Sequence, residues 1–164
     1  MSKKAQTHLA GIIPLAGIED EFGFPWHPSL NPISSLHLAI ERSAVECAYA
    51  GCKTIWIVCN DDLQPLVKNR LGDFVVDPLS LEKANFVKFP SSHRKQIPLF
   101  YVPIHPRDRK KRDSLGWSIL HGALTSFVIG NKISKWLPPD RYFVSFPYAV
   151  VDPKTISRYR GEIF

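Results

Sequence analysis

Gly11-Ile12-Ile13-Pro14-Leu15-Ala16-Gly17 is an apolar strand running into a tight glycine turn, the arrangement that brings backbone N–H groups against phosphates. Residues 9–15 are short, apolar and preceded by a polar tail, which predicts a buried strand. The segment from Glu19 to Pro32 is a loop, because Gly23, Pro25, Pro28 and Pro32 interrupt its aromatics Phe22, Phe24 and Trp26. Ser34 or Ser35 caps a helix that runs to about Ala50, with Leu36, Ala39, Ile40, Ala44, Cys47 and Ala48 at helical spacing and Gly51 as its stop. Thr54-Ile55-Trp56-Ile57-Val58-Cys59 is a second buried strand. Strand, helix and strand in this order form a βαβ unit, whose crossover makes the two strands parallel.

The pattern continues. Asn60-Asp61-Asp62 caps a short helix through Leu71, with Pro65 tolerated in its first turn. Residues 72–98 are less regular, and Ala84 to Phe89 reads either as a strand or as part of a loop. Pro98 to Ile104 is a third buried strand. A helix is expected from Ser114 to about Gly130, with an apolar face of Leu115, Ile119, Leu120, Ala123, Leu124, Phe127 and Val128. Tyr142-Phe143-Val144-Ser145-Phe146 is a fourth strand, and a last short helix is expected around Lys154–Arg160. Alternation of this kind predicts an α/β domain of three layers, with a mostly parallel central sheet and ligands at the carboxyl ends of its strands. The 164 residues are most simply one domain, 1–164, large enough for an ordinary core.

Composition narrows the classes. A chain that is 45% apolar is not broadly disordered. No apolar run approaches the ~20 residues of a membrane span, and the start Met1-Ser2-Lys3-Lys4 opens no signal peptide. Cys47, Cys52 and Cys59 follow no zinc spacing, which predicts reduced structural thiols and a cytoplasmic setting. His27, His37, His93, His105 and His121 show no ligand spacing either. Ser114 and Ser118 near His121 lack the strained elbow of a hydrolase nucleophile.

Charge is concentrated. From His93 to Arg112 lie Arg94, Lys95, Arg107, Arg109, Lys110, Lys111 and Arg112 against Asp108 alone, which equals the whole chain's net +6. Arg107, Arg109, Lys110, Lys111 and Arg112 are therefore the candidate anion- or partner-binding residues. They precede a helix start at Asp113-Ser114, a second anion-friendly feature. Three readings stand side by side: a phosphate or nucleic-acid contact without sequence choice, a docking surface for an acidic protein, and a solvated loop. The aromatic loop Phe22–Pro28 either roofs a pocket, anchors a partner, or covers the edge of the core.

These landmarks resemble the sugar-phosphate nucleotidyltransferase family (nucleotide-sugar pyrophosphorylases). Pro14-Leu15-Ala16-Gly17 is similar to its P-A-A-G start, and Ala50-Gly51 through Val58 to its A-G-x-x-x-I-x-V-V segment. Leu115-Gly116-Trp117-Ser118-Ile119 stands where the family has L-G-T-A-x-A, and Val151-Asp152-Pro153 resembles the end of its V-x-x-G-D-x-x-x-x-D-P segment. The resemblance implies a Rossmann-like, nucleotidyltransferase-like sheet and makes Leu15, Ala16, Gly17 and Gly116 the nucleotide-binding residues. The family's chemistry does not carry over. Glu21 stands at its phosphate-binding Arg, Ser29 at its catalytic Lys, and Pro147 at its magnesium-binding Asp. Even one such stabilising group is worth roughly 3 kcal/mol in the transition state.

The resulting expectation is a catalytically degenerate domain, without cofactor, that serves as a binding or structural module with a protein partner or larger assembly. It keeps a nucleotide or phosphosugar pocket in one form of this reading. One alternative is an active nucleotidyltransferase with magnesium held by rearranged carboxylates, Glu19, Asp20 and Glu21 being the nearest. Another is a non-specific nucleic-acid-binding protein that uses the basic loop 107–112.

Overall fold

In the computed structural model, residues 8–16, 23–78, 95–111, 114–133, 138–152 and 155–156 are described. Their elements are β1 (Leu9–Pro14), a 3-10 turn (Pro28–Leu30), α1 (Ala39–Ala50), β2 (Thr54–Asn60), α2 (Gln64–Leu71), β3 (Phe74–Val76), β4 (Gln96–Ile104), α3 (Leu115–Ile133) and β5 (Arg141–Val144). The five strands form one sheet in the order β3-β4-β2-β1-β5. β4, β2, β1 and β5 are parallel, and only β3 runs antiparallel, against β4. This is an α/β, mostly parallel sheet of Rossmann-like kind, with helices on both faces.

The alternation of side chains along a strand builds two cores. Ile13 and Leu15, Ile55, Ile57 and Cys59, and Ile97 and Leu99 point to one face, where Ile40, Ala44, Cys47 and Ala48 of α1 and Val67 of α2 meet them. Ala10, Ile12 and Ala16, Trp56 and Val58, and Val102 and Ile104 point to the other face, which α3 covers. Strands buried on both faces explain the continuous apolar runs seen in the sequence.

Several boundaries differ from expectation. α1 begins at Ala39, three or four residues late, because Pro32 and Leu38 form a small antiparallel bridge that holds the chain extended. The Leu38 N–H then donates to the Glu41 carboxylate at 2.7 Å, so the acid of the first turn starts the helix instead of a serine. Leu36, placed by its spacing on a buried face, is exposed. The helix stops where expected: Gly51 takes φ +91°, and the N–H groups of Gly51 and Cys52 satisfy the Ala48 and Cys47 carbonyls. β4 starts at Gln96 and β5 at Arg141, and β3 lies in a segment read as irregular. The proposed strand at 84–89 lies outside the described residues. So does most of the terminal helix, of which Thr155 and Ile156 are helical.

The largest correction concerns α3. Its buried residues are Ser118, Gly122, Ser126 and Gly130, one every fourth position. Leu120, Leu124, Phe127 and Val128, expected to form its core face, are exposed. Gly122 shows why. A Cβ there would stand 2.8 Å from Cγ2 of Val58 and 3.1 Å from Cγ2 of Ile12, so at this point the helix lies too close to the sheet for larger side chains, while Ile119 and Ala123 of the expected face do pack against the second core.

Candidate functional site

The chain steps outward from β1 to β2 to β4, and α3 then returns it across the sheet to β5 on the far side of β1. The strand order therefore reverses between β1 and β5, the place where open parallel sheets bind ligands at their carboxyl ends. At the amino ends these strands are fastened, as the His8 N–H donates to the Asp140 carboxylate at 2.8 Å and the Asp140 N–H to the His8 carbonyl. At the carboxyl ends they part. The Ser145 N–H donates to the Ile12 carbonyl at 3.0 Å, so Ile12, and Pro14 two residues on, direct their peptide groups toward β5. Pro14 has no N–H to give, and the ladder ends there.

The segment leaving β5 is held by a charge pair on α1. Glu46 is buried, and its carboxylate accepts from the Ser145 hydroxyl at 2.7 Å and from the Val151 N–H at 3.4 Å. Arg42, one turn earlier, lies 3.5 Å from the same carboxylate and donates to the Val151 carbonyl. Its Nε makes no hydrogen bond of its own. Together they press residues 150–152 against α1 and form one wall of a cleft of about 310 Å³.

Ile33, Ser34 and His37, from the connection that follows β1, line it as well, with Arg42, Val45, Tyr49, Val150 and Asp152 completing the lining. The size suits a small ligand or one moiety of a larger one. Ser34 Oγ and His37 Nδ1 are 3.3 Å apart, but this contact belongs to a turn in which the Ile33 and Ser34 N–H groups both donate to the His37 carbonyl. The cleft offers a cation, a carboxylate, an aromatic ring and the aliphatic side chains of Ile33, Val45 and Val150. It is equipped to hold a molecule with both polar and apolar parts.

The residues expected to bind a nucleotide are distributed around this edge. Leu15 and Ala16 are buried, and the Leu15 N–H is committed to the Val58 carbonyl at 2.8 Å. Gly17 lies outside the described residues, as do Glu19, Asp20, Glu21 and Phe22. Gly116 is exposed in the first turn of α3, and a Cβ there would meet nothing within 4 Å. Ser114 caps that turn by accepting the Trp117 N–H at 3.2 Å, and Trp117 packs in the same cluster as Ala16. The end of β1 and the start of α3 are thus brought together.

Arg107, Arg109, Lys110 and Lys111 sit at the same carboxyl edge, in turns that follow β4. Arg107, Lys110 and Lys111 are exposed. Arg109 turns back to the end of β2, where its guanidinium pairs with Asp61 and, at 3.6 Å, with Asp62. Two carboxylates thus offset the Arg109 charge, which the linear sequence made part of one continuous basic patch. Arg112 lies outside the described residues.

The positions that resemble catalytic ones in the nucleotidyltransferases have other duties. Ser29 is fully buried in the 3-10 turn, where its N–H and hydroxyl both lie against His27 Nδ1, at 3.2 and 2.8 Å. Pro147 is buried as well. Phe24 and Trp26 stack on each other at 5.4 Å and remain exposed, and the Trp26 indole donates to Asn31. Cys47, Cys52 and Cys59 are free and buried. Burial pushes the Cys47 thiol up, with the neighbouring Cys52 reinforcing it, and takes Cys59 up to about 12. Thiols so placed stay protonated and unreactive. Among the described residues, no three His, Cys, Asp or Glu side chains gather to hold a metal ion.

Arg42 and Glu46 escaped the reading of the sequence. Their signal was available: two opposite charges four residues apart, one of them inside an otherwise apolar helical face. No protein-family model and no curated protein matches the chain.

Proposed function

We propose that this domain is a binding module for a small phosphate-bearing molecule, of nucleotide or phosphosugar class, and that it does not transfer nucleotidyl groups. The observation that carries this reading is the position of the Arg42 cleft, between the connections that leave β1 and β5 at the reversal of strand order. The Arg42 guanidinium in the cleft lining favours an anion, and the exposed Arg107, Lys110 and Lys111 add positive potential along the same edge. The resemblance to nucleotidyltransferases supports the ligand class. Against transfer stand the buried Ser29 and Pro147, which supply neither the cation nor the metal carboxylate that the reaction needs. Those residues do not fit a magnesium site.

Thermal unfolding with nucleoside triphosphates, nucleoside monophosphates and hexose phosphates tests the proposal. A ligand present at about a hundred times its Kd contributes about 2.7 kcal/mol, a rise of roughly 5–10 °C for a domain of this size. Val150→Trp should fill the cleft and abolish the rise while leaving the unliganded melting temperature unchanged, because Val150 is mostly exposed. No rise with any of these compounds sinks the reading. Pyrophosphate release from a triphosphate and a sugar phosphate would overturn the denial of transfer.

A further inference from the structure

We infer that α3 is the contact helix of a two-fold interface between two copies of this chain. An ordinary surface helix turns its large apolar residues inward, and α3 turns only part of its set, Trp117, Ile119 and Ile129, toward the sheet. Ser118, Gly122, Ser126 and Gly130 face the sheet, while Leu120, Leu124, Phe127 and Val128 form one outward stripe at i, i+4, i+7 and i+8. Tyr142 of β5 extends the stripe, with its hydroxyl on the Ala123 carbonyl at 3.2 Å. Leu120 and Leu124 are each 55% exposed. Side chains of this size, half uncovered, leave on the order of 450 Å² of contiguous apolar surface.

Charge selects the occupant. Ser114 to Asn131 contains no Asp, Glu, Lys or Arg, although 22% of the chain is charged and a run of eighteen residues would ordinarily carry about four. A face without charge gives an acidic or basic partner nothing to pair with. It suits an isologous contact, in which every like charge near the axis would meet its own copy. Two copies would bury about 900 Å² of apolar surface before His121, Thr125 and Asn131 at the rim are counted. That is close to the roughly 1,000 Å² at which specific interfaces begin. α3 is also not apolar enough to cross a membrane. With the axis at Leu124, antiparallel helices set Leu124 against its own copy and Leu120 against Val128 of the partner subunit.

Sedimentation equilibrium between about 1 and 200 µM tests this, since an interface near the size threshold implies a roughly micromolar Kd. The wild type should pass from one chain mass to two over that range. Leu124→Glu and Leu124→Lys should each remain at one chain mass, with thermal unfolding unchanged because the position is exposed. Mixing the two variants should restore the dimer, since the axis places opposite charges in contact. A wild type that stays at one chain mass at 200 µM overturns the proposal, including one that instead floats with vesicles of anionic phospholipid. So does a dimer that survives Leu124→Glu, or a mixture that stays at one chain mass. Ligand-induced stabilisation is read separately, so neither result depends on the other.

Discussion

Gly122→Leu should destabilise the domain by about 3 kcal/mol or more, and Gly122→Ala by about 1 kcal/mol, in urea unfolding followed by far-UV circular dichroism. Two effects oppose each other in the alanine variant. Removing a helical glycine gains about 1 kcal/mol in backbone entropy. The added Cβ, however, would sit 2.8 Å from Val58 Cγ2 and 3.1 Å from Ile12 Cγ2. Those methyl groups are on β-branched side chains, stiff at χ1, in the two central strands whose register fixes them. Overpacking of such a contact typically costs 1–3 kcal/mol, so the steric cost wins. Leucine adds three further carbons to the same gap and must lift α3 off the sheet, a large loss against a total stability of about 5–15 kcal/mol. Gly116→Ala is the control. It has open space around the added carbon and should be neutral or stabilising by up to about 1 kcal/mol. If Gly122→Ala proves more stable than wild type, α3 does not lie against Val58 and Ile12 as described.

The same helix shows what the sequence could and could not convey. The strands β1, β2 and β4 were legible because residues buried on both sides must be apolar almost without interruption. The end of α1 was legible because Gly51 has a conformation that other residues resist. In α3 the period was legible but its phase only in part, since Ile119 and Ala123 pack inward while Leu120, Leu124, Phe127 and Val128 are exposed. Hydrophobicity marks the face that large residues occupy, and here close approach to the sheet reserves the buried face for Ser and Gly. β3 was missed because three residues, Phe74–Val76, give too few alternations to register, and its pairing with β4 is a long-range event. The basic cluster was legible as a charge excess, while the return of Arg109 to Asp61 depends on β2 and β4 being neighbours. That adjacency is a property of the sheet, not of either segment.

Glu46→Ala should cost about 3 kcal/mol and abolish ligand-induced stabilisation, an effect out of proportion to one side chain on a helix. The Glu46 carboxylate serves the Ser145 hydroxyl, the Val151 N–H and Arg42 at once. Removing one member of a buried charged group leaves the others desolvated without compensation, which costs about 3–5 kcal/mol when burial is complete. Arg42 retains 28% of its side-chain exposure, so the lower end of that range applies. Glu46→Gln keeps the shape and one acceptor for Ser145 but loses the charge, and a cost of about 1–2 kcal/mol is expected. The double variant Arg42→Met with Glu46→Leu separates stability from function. Replacing both charges by apolar groups should recover part of the stability, with a coupling energy of about 1–3 kcal/mol, because nothing is left buried and unpaired. It should not recover binding, since the cation of the cleft and the grip on residues 150–152 are both gone. A Glu46→Ala variant within about 0.5 kcal/mol of wild type would show that water already serves these groups. A double variant that still gains stability from the ligand would place the binding site away from Arg42. The order of costs, alanine above glutamine above the apolar pair, follows from which polar groups are left buried without a partner, not from how many hydrogen bonds are removed. That order makes Glu46 the residue through which α1 joins the reversal point of the sheet to the cleft beside it.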